Sequence, residues 1–263
     1  MIKLIACDID GTLLPKGTGE VSGEILELIR ALEKQGRRFV PASGRQYPNL
    51  RKLFKTVAGE LSYICENGAL VIDGEETLFR HQMEHELGQR ILTLIMETPK
   101  AEALLSGRDT CYIQPKDENY VSHMKEFVGN QVTVVDDILS TKEEYIKVSI
   151  YEKAGIDKRF AYWQQCFEND KEVTVVTSGN EWIDIIPKGI TKASALAVLG
   201  QQFQINPVEM MAIGDNLNDL SMLNYVKVGV AMASGHHEVR KSCKYETKSV
   251  EDTLREVLGG VYD

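Results

Sequence analysis

The chain has 263 residues, 43% of them hydrophobic and 26% charged, with a formal net charge of -9. Such a composition is ordinary for a globular protein, and the length suits one large domain or two modest ones, each able to bury a core. The acidic balance argues against a nucleic acid or an anionic membrane as partner, while a locally positive site could still take a small anion.

Residues 2–14 read IKLIACDIDGTLL. The greasy run predicts a buried strand, and it ends abruptly in Asp8 and Asp10. Side chains at i and i+2 of a strand share a face, so the two carboxylates would project together if extension continues. Buried carboxylates are costly unless a cation or hydrogen bonds compensate them. Taken alone, the pair is better explained as an acidic turn closing a core strand.

Further along, Ser22 can cap a helix whose Ile25, Leu28, Ile29 and Leu32 share one face, with Gly36 stopping it. Arg37 to Ala42 reads as a strand ending at Ser43-Gly44-Arg45, a helix runs from about 46 to 57, and 61–65 is a short strand. Strand and helix alternating at this spacing predict βαβ units and a parallel sheet.

The texture changes after Asn67-Gly68. A hairpin over 69–80 is followed by helices near 84–98, 117–128 and 156–168. Short strands are expected near 101–114, 131–135, 145–151, 173–177 and 182–186, the last two joined by a turn at Gly179-Asn180. Alternation then returns: a helix from Thr191, a strand at 208–213, a helix after Asp215 and a strand at 226–231. The fold class is therefore α/β, a doubly wound parallel-sheet core with a smaller α+β domain inserted in it.

Five scattered cysteines without a C-x-x-C pair suggest neither a disulfide framework nor a zinc site. The start of the chain lacks a signal-peptide pattern, and no run reaches the roughly 20 apolar residues of a membrane helix, so a cytoplasmic protein is expected.

In open α/β sheets, ligands gather at the carboxyl ends of strands. Those ends carry Asp8 and Asp10, then Ser43-Gly44-Arg45, then Asp215 with Asn218 and Asp219. Lys192 starts a helix, where a positive charge opposes the helix dipole. Four carboxylates at one rim would resist ionisation together, and a Mg2+ ion with Lys192 would relieve most of that repulsion. Oxygen-only ligands suit magnesium better than zinc or copper.

Taken in order, D-x-D-G-T-L at 8–13, S-G-R at 43–45, Lys192 and G-D-x-x-N-D at 214–219 resemble the motifs of the haloacid dehalogenase (HAD) superfamily. N-G-A at 67–69, the insertion between the second and third motifs, and W-I-D-I-I-P-K-G-I-T-K before Lys192 resemble its Cof-like branch. The resemblance spans nearly the whole chain. It implies a HAD-like catalytic core over residues 1–80 and 187–263 and a substrate-selecting α/β cap over 81–186.

The activity implied is Mg2+-dependent hydrolysis of small phosphorylated metabolites, such as sugar phosphates or phosphorylated cofactors, through an aspartyl phosphate. By the same resemblance Asp8 is the nucleophile, Asp10 the general acid and base, and Lys192 the cation neutralising Asp8 and phosphate. Ser43, Gly44, Arg45 and Asn218 would contact substrate. Thr12, grouped with them, could orient Asp10 or serve its own turn, and Ser43 taken by itself reads as a helix cap. Mg2+ would be held by Asp8, the Asp10 carbonyl and Asp215, with Asp219 counted among the metal residues; Asn218 and Asp219 would position phosphate or metal-bound water, or simply cap the helix after Asp215. Arg45 is equally able to reach substrate or to pair with a carboxylate.

Two departures stand out: Ala233-Ser234-Gly235 follows Met232 where the family commonly has Gly-Asn, and Glu251-Asp252-Thr253-Leu254 replaces the usual Asp-Gly-Val. In the insertion, Asn180, Glu181 and Trp182 are weak candidates for facing substrate. Two other readings remain, a phosphomutase of similar fold and a non-catalytic metabolite-binding protein.

Overall fold

The structure, a computed structural model, describes every residue except 15–18, 58, 60, 108–109, 158 and 179. The described residues form two compact units, Met1–Phe79 with Thr191–Asp263, and Arg80–Ile190. Sequence reading put the second crossing at 186/187. Strand Trp182–Pro187 still pairs with Val173–Thr177, so the chain stays in the inserted unit for a few residues longer.

In the first unit five strands lie in the order Tyr245–Thr247, Val228–Met232, Met210–Gly214, Leu4–Cys7, Arg38–Pro41. Every neighbouring pair is parallel. Leu4–Cys7 is an interior strand, one in from the edge, and has no exposed face. Ile5 and Cys7 belong to one apolar cluster with helices Gly23–Lys34 and Val250–Leu258. Leu4 and Ala6 belong to another with helices Lys192–Phe203 and Leu220–Tyr225. The greasy run at the start of the sequence is thus explained by burial on both faces, as parallel sheets require.

Helix Gly23–Lys34 begins where expected. The Ser22 hydroxyl accepts from the Ile25 amide at 3.1 Å, and Ile25, Ile29 and Leu32 turn inward; a cap of this kind stabilises a helix by about 1 kcal/mol. The next helix is shorter than its periodicity predicts, Tyr47–Leu53, with Pro48 in its first turn. The helix expected after Asp215 is Leu220–Tyr225, entered through a tight turn at Leu217–Asp219.

The inserted unit is a six-stranded sheet with the order Val173–Thr177, Trp182–Pro187, Lys147–Glu152, Ala101–Ser106, Cys111–Ile113, Val132–Val134. Helices His85–Glu97 and Phe160–Phe167 pack through Leu87, Ile91, Trp163 and Phe167 onto Ala103, Val148 and Ile185. The segment expected as a helix over 117–128 is helical at Asn119–Ser122 and continues as a wider π turn at His123–Phe127. Trp182 sits over Tyr151 with ring centroids 4.9 Å apart, a packing position. Gly179, expected at the preceding turn, lies outside the described residues. Among the described helices none is long and apolar enough to cross a membrane.

Candidate active site

Three adjacent parallel strands end together. Asp8 follows Leu4–Cys7, Asp215 follows Met210–Gly214, and Ser43 comes two residues after Arg38–Pro41. Ladder bonds continue past the strand ends and fix their relative height: the Asp8 amide donates to the Ile213 carbonyl at 2.9 Å, and the Ala42 amide to the Cys7 carbonyl at 2.8 Å. This is the rim where doubly wound sheets bind ligands.

Lys192 is wholly buried and lies between two carboxylates. Its Nζ donates to Asp8 Oδ1 and to Asp219 Oδ1, each at 2.6 Å. Thr191 caps its helix: the hydroxyl accepts from the Ser194 amide at 3.1 Å, and Ser194 Oγ accepts from the Thr191 amide at 2.9 Å. The cap holds the helix start rigidly, so the dipole conflict at Lys192 is outweighed by the two anions rather than relieved by solvent. Burial lowers the Lys192 pKa, yet Asp219 and Asp8 raise it by more, and the net direction is upward.

Asp219 is held on every side. Its second oxygen accepts from the amides of Asp215 and Asn216, both at 3.0 Å. Asp8, Asp215 and Asp219 each offer an oxygen within 4.8 Å of the others. Asp8 is driven well above the usual carboxylate range by burial first and by Asp219 second, against the pull of Lys192. Asp215 is raised likewise, by burial and then Asp219, with the Thr12 hydrogen bond opposing.

Asp10 has different surroundings. Extension does not continue beyond Asp8; the chain turns through Gly11 to Leu13, and Asp10 lies 55% exposed in an ion pair with Arg45. Arg45 donates through Nε and a terminal nitrogen to the two Asp10 oxygens at 2.8 and 2.6 Å, and through the other terminal nitrogen to Asn49 at 2.9 Å. Of the alternatives for Arg45, the carboxylate pairing is the one seen, and the carboxylate is Asp10. The two aspartates of the first motif therefore differ sharply, one buried against a lysine and one half-exposed against an arginine.

Two local expectations need correction. Thr12 does not bond to Asp10: its hydroxyl donates to Asp215 Oδ1 at 2.8 Å, because the turn carries it across to the neighbouring strand end. Ser43 does not cap the following helix, which begins after Gln46; Ser43 Oγ accepts from the Arg45 amide at 3.1 Å and shapes the Ser43-Gly44-Arg45 loop. Asn218 donates to the side-chain oxygen of Asn67 at 3.1 Å, a partner that sequence reading gave no role. The Asn-Gly-Ala stretch at 67–69 was visible in the sequence, but its contact with a residue 151 positions away was not.

The donor set fits a divalent cation. Asp10 is matched by Arg45, so among the described residues the cluster, with Asp8 and Asp219 buried and Asp215 half-buried, sets three carboxylates against the Lys192 ammonium; when all three are ionised, 3 negative charges less 1 positive leaves 2 negative. All the ligand atoms are oxygens, as hard divalent ions prefer. Gly11 leaves room for this arrangement: a Cβ at its φ of +96° would stand 2.5 Å from Asp215 Oδ2. No described set of cysteine and histidine ligands competes with it.

The sequence profile of a family described as haloacid dehalogenase-like hydrolases matches residues 5–254. A 5-amino-6-(5-phospho-D-ribitylamino)uracil phosphatase of Escherichia coli K12, YbjI, is 27% identical over 265 residues, covering 98% of this chain and 96% of that protein. A Bacillus subtilis phosphatase of the same description, YcsE, is 26% identical over 258 residues, covering 98% and 94%. The crystal structure of SMU.1108c from Streptococcus mutans UA159 superposes with a TM-score of 0.89 at 28% identity, covering 98% of this chain and 100% of that one.

Proposed function

Because the chain belongs to the family of haloacid dehalogenase-like hydrolases and is a phosphatase of that family, we propose that it is a Mg2+-dependent phosphomonoesterase acting through Asp8. The observation that carries this reading is the largely buried three-carboxylate cluster, two negative charges unmatched when it is ionised, with its Asp8 held on a buried lysine.

In this reading an Asp8 oxygen attacks phosphorus and the bond from phosphorus to the leaving oxygen breaks. Asp10, half-exposed and able to take up a proton from solvent, gives that proton to the departing alcohol. It then takes a proton from the water that attacks the aspartyl phosphate, so phosphate leaves and both aspartates return to their first state. The partly exposed position of Asp10 suits a group that exchanges protons with substrate and solvent. Lys192 favours the ionised form of Asp8 against burial and Asp219, and offsets charge on the phosphoryl oxygens. Ser43, the Gly44 amide and Asn218 hold those oxygens, while Thr12 orients Asp215 and Arg45 orients Asp10. Mg2+ bound by Asp8, Asp215 and the Asp10 carbonyl would supply the missing positive charge and polarise the phosphoryl group. Asp219 holds Lys192 and the Asp215 amide in place from behind.

The substrate proposed is a small phosphorylated metabolite of the sugar- or polyol-phosphate kind, in line with the names of the two curated relatives. The unit of residues 80–190 is proposed to select it. The acidic net charge favours such a substrate over nucleic acid, and five cysteines in no disulfide favour a cytoplasmic location. Phosphate release from a panel of small phosphate esters in Mg2+ tests the reading, with Asp8→Asn as the control expected to be inactive. Release of no phosphate from any ester, transfer to another hydroxyl of a sugar, or full activity of Asp8→Asn would each overturn it.

A further inference from the structure

Asn67 has no part in the steps above, yet the backbone around it is unusual. Glu66, Asn67 and Gly68 take three successive left-handed φ values, +51°, +56° and +103°, and all three are buried. Left-handed backbone is disfavoured for residues with a Cβ, and it persists only where the surroundings over-determine it. Asparagine tolerates it better than most, glutamate does not.

The surroundings are the other motifs of the site. The Glu66 amide donates to the Arg45 carbonyl at 3.1 Å and the Asn67 amide to the Ser43 carbonyl at 3.0 Å, so the turn holds both ends of the Ser43–Arg45 loop. Gly68 lies against the start of the Lys192 helix. A Cβ there would stand 2.2 Å from the Thr191 carbonyl oxygen and 3.1 Å from the Lys192 nitrogen. The Asn67 side-chain oxygen accepts from the Asn218 amide at 3.1 Å. A primary amide has two N–H donors on one edge and a carbonyl on the other, so fixing one N–H fixes which edge is presented elsewhere.

We propose that Asn67 is a positioning residue of the phosphoryl-transfer site: the left-handed turn joins the Ser43–Arg45 loop and the Lys192 helix into one frame, and Asn67 orients the Asn218 amide toward the phosphoryl group. The proposal rests on the phosphatase reading for what Asn218 contacts. Backbone and side chain can be separated, because glycine takes the left-handed conformation freely while offering no acceptor.

The test compares Asn67→Gly, Asn218→Ala and the double variant for melting temperature, kcat and KM on the best ester of the panel, and affinity for inorganic phosphate in Mg2+. Asn67→Gly is expected to fold with a melting temperature within a few degrees of the parent, with kcat lowered about tenfold and KM little changed, the pattern of a misplaced group. Its effect and that of Asn218→Ala are expected not to multiply, since both remove one interaction. Parental kcat in Asn67→Gly, or losses that multiply in the double variant, would overturn the proposal. If the glycine variant fails to fold, Asn67→Asp keeps an acceptor and tolerates the same backbone, and a penalty for Asn218→Ala as large in Asn67→Ala as in the Asp and parental backgrounds would be decisive against it. Should the parent release no phosphate from any ester, the phosphatase reading fails, whereas the phosphate-affinity cycle still decides whether Asn67 and Asn218 act as a unit.

Discussion

Lys192 and Asp219 form an ion pair in which neither side chain has any solvent exposure, with Nζ 2.6 Å from Oδ1. Asp219 is anchored from behind by two amides, whereas Asp8, on the other side of the same ammonium, has one oxygen at Lys192 and lies at the open end of its strand. One lysine thus connects a carboxylate whose two oxygens are both bonded within the fold with the one proposed to attack phosphorus. Its place at the start of a helix is tolerable because two anions outweigh an unfavourable dipole.

Lys192→Met should therefore be severe for the fold as well as for turnover. It leaves two buried carboxylates without their cation, and breaking a buried ion pair from one side typically costs about 3–5 kcal/mol. Urea unfolding of the metal-free protein would measure it. A variant as stable as its parent would mean that the pair is worth little here.

Asp8→Asn should have the opposite effect on stability, with a defined pH dependence. Burial and then Asp219 raise the Asp8 pKa well above the usual range. A carboxyl raised in the folded state supports folding fully while protonated, below its unfolded value near ~3.9, and that support is lost as pH rises through the folded value. In metal-free protein the melting temperature of Asp8→Asn is thus expected to match the parent near pH ~4 and to exceed it increasingly toward pH ~8. A gap that stays constant or narrows over that window would contradict the raised pKa.

Gly11→Ala tests the turn between the two aspartates. The added methyl would meet Asp215 Oδ2 at 2.5 Å on a backbone with φ of +96°, so both strain and collision act at the rim. The positive-φ penalty alone is roughly 1–2 kcal/mol. Loss of most phosphate release is expected, with a melting temperature lowered by several degrees. Parental kcat and stability in this variant would show that Asp215 can yield without consequence.

Much of this arrangement was legible in the sequence, and for identifiable reasons. The strand before Asp8 is apolar on both faces, so it declared itself by composition, and Ser22, Thr191 and the run of strands at regular spacing are local signals. Asp8 and Asp215 were placed at one rim by topology, because carboxyl ends of parallel strands converge, while Lys192 joined them through its odd place at a helix start and through the family resemblance. What could not be read were contacts set by turns. Thr12 crosses to Asp215 because the chain bends at Gly11, and Arg45 meets Asp10 because that carboxylate leaves the strand direction. The link from Asn67 to Asn218 depends on three left-handed residues, and asparagine or glutamate in a sequence does not announce that conformation. The tight turn that precedes the helix after Asp215 was hidden for a similar reason, since the Asp219 side chain bonds back to two amides there.

Metal should matter to the three-carboxylate cluster and not to the Asp10–Arg45 pair, and thermal shifts can separate the two. A ligand that binds only the folded state stabilises it by RT ln(1 + [L]/Kd), about 2.7 kcal/mol at a hundredfold excess over Kd. Adding Mg2+ to chelator-treated protein should raise the melting temperature and restore phosphate release. Asp215→Asn removes one of the unmatched charges, so its response to Mg2+ should be largely lost. Arg45→Ala should keep the full response, because Arg45 neutralises Asp10 and none of the clustered carboxylates. Its own stability change should be small, about 0–1 kcal/mol for a partly exposed pair, while turnover falls most for esters whose leaving alcohol needs a proton. A Mg2+ response lost in Arg45→Ala and kept in Asp215→Asn would reverse the charge accounting on which the cation site rests.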